Sequence, residues 1–232
     1  MQKIEEKKNR LLLEANKLYE TMYIDYFNGN KDAFNKYRPL IKEKRFEAAL
    51  LNQMETEEDI SSALGLVEGS DVWDLFVLIN KKFKLSPKIF AFGLKWAWTE
   101  SYPGPDVLPY LNKVDGKLMM NDEELEYYNN LPEIVELFRG CDKEEMNIDE
   151  DNFLGISWTT SRKVAEFFAF RHNTKGRIVV KTEVPKKEIV AFINERKEFE
   201  CIYLSAISTM VSIVTDKPTK YFDCYIEEKD NM

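Results

Sequence analysis

Glu198-Phe199-Glu200 places two carboxylates two residues apart. On a strand such residues point to the same face. Like charges held together raise one or both pKa values unless cations or donors intervene, and such a pair suits acid–base work or stabilisation of a developing cation. Two earlier segments supply complementary chemistry. Leu137-Phe138-Arg139-Gly140 ends a strand-like run in a guanidinium, a fixed fork for phosphate or ribose, beside a glycine that lets a ligand approach the backbone. Gly155-Ile156-Ser157-Trp158-Thr159-Thr160-Ser161 supplies hydroxyls that can orient a carboxylate. In this order the trio suits gripping a dinucleotide and breaking its glycosidic bond. Each member alone has a plainer reading: a solvated edge strand, an exposed strand-end arginine, a cap at Ser161 and a packed ring at Trp158.

The remaining chemistry is narrower. His172 is the only histidine, so a triad would have to use it, and no zinc-type spacing exists; no metal is called for. Cys141, Cys201 and Cys224 are odd in number and far apart, which suits idle thiols in a reducing compartment. None of the nine glycines forms G-x-G-x-x-G or a P-loop. Basic residues gather at Arg162, Lys163, Arg171, Lys175, Arg177, Lys181, Lys186 and Lys187, a candidate anion-facing strip. The net charge of -8 disfavours loose nucleic-acid binding.

The elements that must position these residues fall into two parts. At 232 residues and 44% hydrophobic, the chain can bury a proper core. Leu11, Ala15, Leu18, Met22 and Tyr26 predict a helix ended by Asn28-Gly29-Asn30, and a second helix is expected over Asp32 to Met54. Asp71 reads as a helix cap, Ser86-Pro87 as a helix start, and Glu123 to Asn129 as a short helix. After Leu131-Pro132 strands are expected at 134–139, 177–184, 189–192, 200–204, 209–214 and 221–226, with a helix over 161–170 and a loop over 142–151. The charged start lacks an apolar h-region, and no apolar run reaches the ~18 residues of a membrane span, so a cytoplasmic protein without a membrane partner is expected.

With Leu131-Pro132, Leu137 to Gly140, Gly155 to Thr160, Ala165 to Arg171 and Ala191-Phe192 through Glu198-Phe199-Glu200 in view, the run from about Trp96 to Leu204 resembles the arginine–serine–glutamate class of ADP-ribosyltransferases. More narrowly, it resembles an ADP-ribosyltransferase-like family of bacteria and their phages. Order and spacing carry the weight: 18 residues from Arg139 to Ser157 and 41 from Ser157 to Glu198. The resemblance implies an α+β fold, with a helical N-terminal part (1–130) packed on a β-rich split-sheet catalytic core (131–232), or one compact unit. It implies NAD+ as substrate. Arg139 would contact its phosphate and nicotinamide-side ribose, and the Gly140 backbone its carboxamide. Ser157 would position the catalytic Glu200, which would bind the ribose 2′-hydroxyl, while Glu198 would face the acceptor. Residues 191–197 would recognise the target. The stretch 170–176 would close over NAD+, with Arg171 at the pyrophosphate. Phe167, Phe168 and Phe170 compete to stack on nicotinamide. Trp158 and Thr159 stand where the family has Thr and Ser, so their contacts differ from the usual ones.

The activity so implied is NAD+-dependent mono-ADP-ribosyl transfer to a macromolecule, with protein arginine favoured and single-stranded RNA as the other acceptor. The setting implied is a toxin-like intracellular effector with an antitoxin or regulatory partner. An NAD+ glycohydrolase and a catalytically inert interaction module are the competing readings.

Overall fold

The computed structural model describes residues 2–101, 103–146, 155–172, 175–204 and 211–222. The chain divides into two compact units, Met1–Met119 and Met120–Met232. The first is helical. Helix α1 (Gln2–Phe27) and α2 (Ala33–Ala49) form a hairpin joined through Gly29, whose φ of 95° suits glycine. Ala15, Met22, Tyr37 and Ile41 fill their seam. Helices α3 (Glu57–Leu64), α4 (Ser70–Lys82), α5 (Pro87–Glu100) and α6 (Leu108–Leu111) complete the unit. Gly93 of α5 lets the helices close up: a Cβ there would stand 2.5 Å from Ile60 Cδ1 and 3.1 Å from Phe76 Cε2.

Two helical expectations need correction. The helix expected to reach Met54 stops at Ala49, where Leu51 and Asn52 hydrogen-bond three residues back and tighten the last turn. Helix α3 then starts afresh at a capping box. Thr56 accepts from Asp59 N, and the Asp59 carboxylate accepts from Thr56 N. Asp71 does not cap α4; Gly69 holds that position, and Asp71 pairs with Lys42 at 2.8 Å. Ser86 does cap α5, accepting from Ile89 N with Pro87 at the first helical position.

The second unit is mixed. Helix α7 (Asp122–Asn130) precedes β1 (Ile134–Asp142), β2 (Ser157–Thr159), α8 (Arg162–Phe170), β3 (Arg177–Pro185), β4 (Ile189–Ile193), β5 (Glu200–Tyr203) and β6 (Ser212–Thr215). The fold class is α+β, with a six-stranded antiparallel sheet in the order β4-β5-β2-β1-β3-β6. The sheet is narrow at its middle. Strands β1 and β2 share one register pair, Phe138 with Thr159, whereas β1 and β3 pair over nine. Two three-stranded halves therefore meet at a single point, and the candidate residues lie around it.

Helix α8 lies across β1. Ser161 caps it, accepting from Val164 N, and Ala165, Ala169 and Phe170 pack on Phe138 and Val179. Three further expectations change. Asp142 ends β1 and residues 143–146 form a 3-10 turn, while 147–151 lie outside the described residues. Of the strand expected over 209–214, β6 takes up Ser212 to Thr215, and 209–210 lie outside the described residues. Tyr221 and Phe222 sit in a helical turn instead of a strand, and 223–226 lie outside the described residues. The cause is Glu166, fully buried on α8. It accepts from Thr219 N at 3.0 Å and from the Thr219 hydroxyl, anchoring the entry to that turn. No described helix is long and apolar enough to cross a membrane.

Candidate functional site

Ser157 is the point where the selected residues meet. It starts β2 opposite Ile202 of β5, two residues along the ladder from the pair Thr159 and Glu200. Cross-strand partners share a face, and so do residues two apart, so Ser157, Thr159 and Glu200 lie together. The Ser157 hydroxyl donates to Glu200 Oε1. Its carbonyl accepts from Arg139 Nη1 at 2.8 Å. One residue thus joins the arginine of one half-sheet to the glutamate of the other.

Glu200 is 6% exposed. A buried carboxylate is tolerated only when donors meet it, and the ladder presents the Ser157 hydroxyl to it. Behind it, burial and then the nearby Glu200 charge push the Cys201 thiol well above its ordinary pKa. Burial, followed by the Glu145 charge, likewise raises Cys141 to about 11. Both thiols stay protonated at neutral pH and are poor nucleophiles.

Arg139 is held on several sides. Besides Ser157, Glu145 Oε2 lies 3.4 Å from Nη2. Gly155, at φ 68°, lays its backbone on the guanidinium; a Cβ there would stand 2.5 Å from Nη2. Arg139 Nε is buried without a hydrogen-bond partner among the described residues.

The space beside the Gly140 Cα belongs to α8: a Cβ would stand 2.5 Å from Ala165 O and 2.6 Å from Ala169 N. On its Cβ side the glycine admits the backbone of α8. Trp158 is buried, gives its indole N–H to Gly155 O at 3.2 Å and meets Tyr203 edge-on, so it supports the strand and offers no ring face to a ligand. Thr159 donates to Glu198 O at 2.8 Å and accepts from Ser161 N at 3.0 Å, tying the glutamate segment to the start of α8.

Glu198 needs a correction. Strand β5 begins at Glu200, and the residues flanking Glu198 have positive φ, 56° at Lys197 and 49° at Phe199. The alternation that puts strand residues on one face therefore does not reach position 198. Its carboxylate pairs with Arg196 at 3.2 Å within the turn.

The basic strip is partly matched by carboxylates. Arg162 pairs with Glu166, Arg177 with Asp142, Lys181 with Glu136 and Lys186 with Glu133. Arg171 lies over the Phe168 ring at 4.6 Å, and Phe168 meets Phe167 edge-on at the end of α8. Of the expected closing stretch, residues 173–174 lie outside the described residues.

Glu124 and Tyr127 carry no sequence signal of a site role, and Asn194 is marked only as part of the stretch 191–197. Asn121-x-x-Glu124 is a legible capping box, but the second use of Glu124 is visible only in space. In the first unit an open cleft of about 360 Å3, lined by Asn80, Phe90, Tyr110 and Lys113 among others, holds none of the selected residues. Comparison with protein-family models, with curated proteins and with solved structures finds no match.

Proposed function

We propose that the chain is an NAD+-dependent mono-ADP-ribosyltransferase with its site at the junction of the two half-sheets. The observation that carries this is Ser157, whose carbonyl takes Arg139 and whose hydroxyl takes Glu200. A split sheet with arginine, serine and glutamate at the split is the arrangement that the resemblance implies. Cleaving the nicotinamide glycosidic bond develops positive charge on the ribose. A fixed carboxylate at Glu200 helps that transition state more than the ground state. A unit pair at ~4 Å with an effective dielectric of ~20 is worth about 4 kcal/mol, or roughly a thousandfold in rate. Nicotinamide leaves without general-acid help, so the chemistry needs no histidine. Arg139 orients the cofactor, its guanidinium held in place by the Ser157 carbonyl and by the Gly155 backbone packed against it. Glu198, outside the ladder and partly exposed, faces the acceptor.

A protein arginine is the favoured acceptor. Glu198 can receive its proton, and the pairing of four of the strip's eight cations with carboxylates weakens the argument for RNA. On the resemblance alone, the chain acts in the cytoplasm as a toxin-like effector restrained by an antitoxin-type partner.

The test is nicotinamide release from NAD+ by wild type and by Glu200→Gln, with labelled NAD+ offered to a cell lysate. The expected result is protease-sensitive label that the variant does not produce. Label sensitive only to nuclease overturns the arginine acceptor, and free ADP-ribose at full turnover with no labelled macromolecule marks a glycohydrolase. No NAD+ consumption by wild type overturns the enzyme reading.

A further inference from the structure

We propose that Glu124 is a positioning residue for Glu198, acting through Asn194; its catalytic meaning rests on the transferase reading above. Glu124 lies in the first turn of α7 and is 3% exposed. Its Oε2 accepts from Asn121 N at 2.9 Å, which completes the capping box. A capping box uses one carboxylate oxygen. The other, Oε1, accepts from the backbone N–H of Asn194 at 2.8 Å, seventy residues along the chain.

Asn194 is the first residue after β4, where the chain leaves the ladder for the turn that carries Glu198. It fastens that turn twice. Its carbonyl accepts from Lys197 N at 2.9 Å, and its side-chain Oδ1 accepts from Phe199 N at 2.9 Å. Between these two fastened residues lies Glu198. Both have positive φ, a conformation that costs a side-chain-bearing residue of order 1–2 kcal/mol and persists only where the surroundings over-determine it. The turn that directs the Glu198 carboxylate is thus held from two sides: by Asn194, which Glu124 holds in its turn, and by the Thr159 hydroxyl and Thr160 N–H, which donate to Glu198 O and Phe199 O.

Glu200 depends on none of these bonds, because it sits in the β2–β5 ladder and receives the Ser157 hydroxyl. Helix α7 has a second attachment to the sheet as well: Tyr127 stacks on Phe192 of β4 at 4.2 Å. Losing the Glu124–Asn194 bond therefore loosens the turn on its Asn194 side, with the Thr159 side still fastened, and does not undock the helix.

Glu124→Gln keeps the size and one acceptor oxygen, but turns an amide NH2 toward either Asn121 N–H or Asn194 N–H. Asn194→Ala cuts the chain of bonds one step later and leaves the cap intact, so it carries the test if the first variant folds poorly. Two measurements on the full chain decide. The first is the rate of tryptic cleavage after Arg196 and Lys197, followed by mass spectrometry, with cleavage elsewhere as the internal standard. The second is nicotinamide release in water against ADP-ribosyl transfer to agmatine, an arginine analogue.

Both variants are expected to be cut at the turn at least tenfold faster. They are expected to lose at least tenfold in transfer to agmatine and to keep hydrolysis within threefold. Unchanged cleavage at the turn overturns the proposal. An equal fall of hydrolysis and transfer also overturns it, since a merely structural role predicts that result. If wild type releases no nicotinamide, the transferase reading fails and the catalytic meaning of Glu124 fails with it. The tryptic rates separate that failure from a turn that Glu124 never braced.

Discussion

The two glutamates of Glu198-Phe199-Glu200 are neighbours in sequence and opposites in support. Glu200 is held by a ladder: its backbone pairs with Thr159, its carboxylate receives Ser157, and it is buried. Glu198 is held by a turn whose shape depends on side chains from Asn194, Glu124 and Thr159 and on two residues at positive φ. A ladder fixes direction through many cooperative backbone bonds, whereas a braced turn fixes it through a few, each of which a single substitution removes. A group that must meet one bond of NAD+ suits the first, and a group that must admit a macromolecule suits the second.

The largest test of this contrast is Glu200→Gln. Nicotinamide release should fall about a thousandfold, by the charge argument above, with the thermal midpoint little changed. A variant keeping more than a tenth of wild-type turnover breaks the assignment. Next is Glu198→Gln, which should lose at least tenfold in transfer to agmatine while keeping NAD+ cleavage within a few-fold. If the two activities fall together, the glutamates do not divide the work.

Glu145→Gln is expected to act more gently. Glu145 lies against the Arg139 guanidinium that the cofactor phosphate would need. Weakening that contact should lower KM for NAD+ by a few-fold, with kcat little altered. A raised KM would instead mean that Glu145 holds Arg139 in place. Smaller still is Lys197→Gly. Relief of positive φ outweighs the extra freedom of glycine in the unfolded chain, so denaturant unfolding should show a gain of about 0.5 kcal/mol. The same substitution at Ile202, inside the ladder, should cost several-fold more than that gain, in the opposite direction.

The β1–β3 pairing carries a pH signature. The Cys141 thiol is raised from 9.0 to about 11 in the folded chain, first by burial. Between these values the unfolded chain binds fewer protons than the folded one, so stability falls as pH rises through that window. Thermal midpoints at pH 8 and pH 10.5 should show a smaller alkaline drop for Cys141→Ala than for wild type. An equal drop would place the titrating group elsewhere.

Much of the scaffold was legible because its signals are local. Ser161 and Ser86-Pro87 announce helix starts through bonds made within four residues, and the α1 stripe follows helical periodicity. The run from Arg177 to Val184 lacks polar alternation because it lies between β1 and β6. The trio was legible as residue types in order. Its geometry was less so: Glu198 falls outside the strand because Phe199 accepts positive φ in exchange for a bond to Asn194, which no alternation rule contains. Gly140 was read as room for a ligand, yet only the crossing of α8 says what fills that room. The basic strip looked unmatched because Glu133, Glu136 and Asp142 lie 35 to 53 residues from the cations they meet.

By itself, then, the sequence determined most helix starts, the approximate place of most strands and the chemical character of three segments, since caps and periodicity act within a few residues. Only the tertiary structure decided that Ser157 links Arg139 to Glu200, and that Glu198 answers to Glu124. Those bonds close between strands and helices far apart in the chain, and their directions follow from how the two half-sheets and α7 pack.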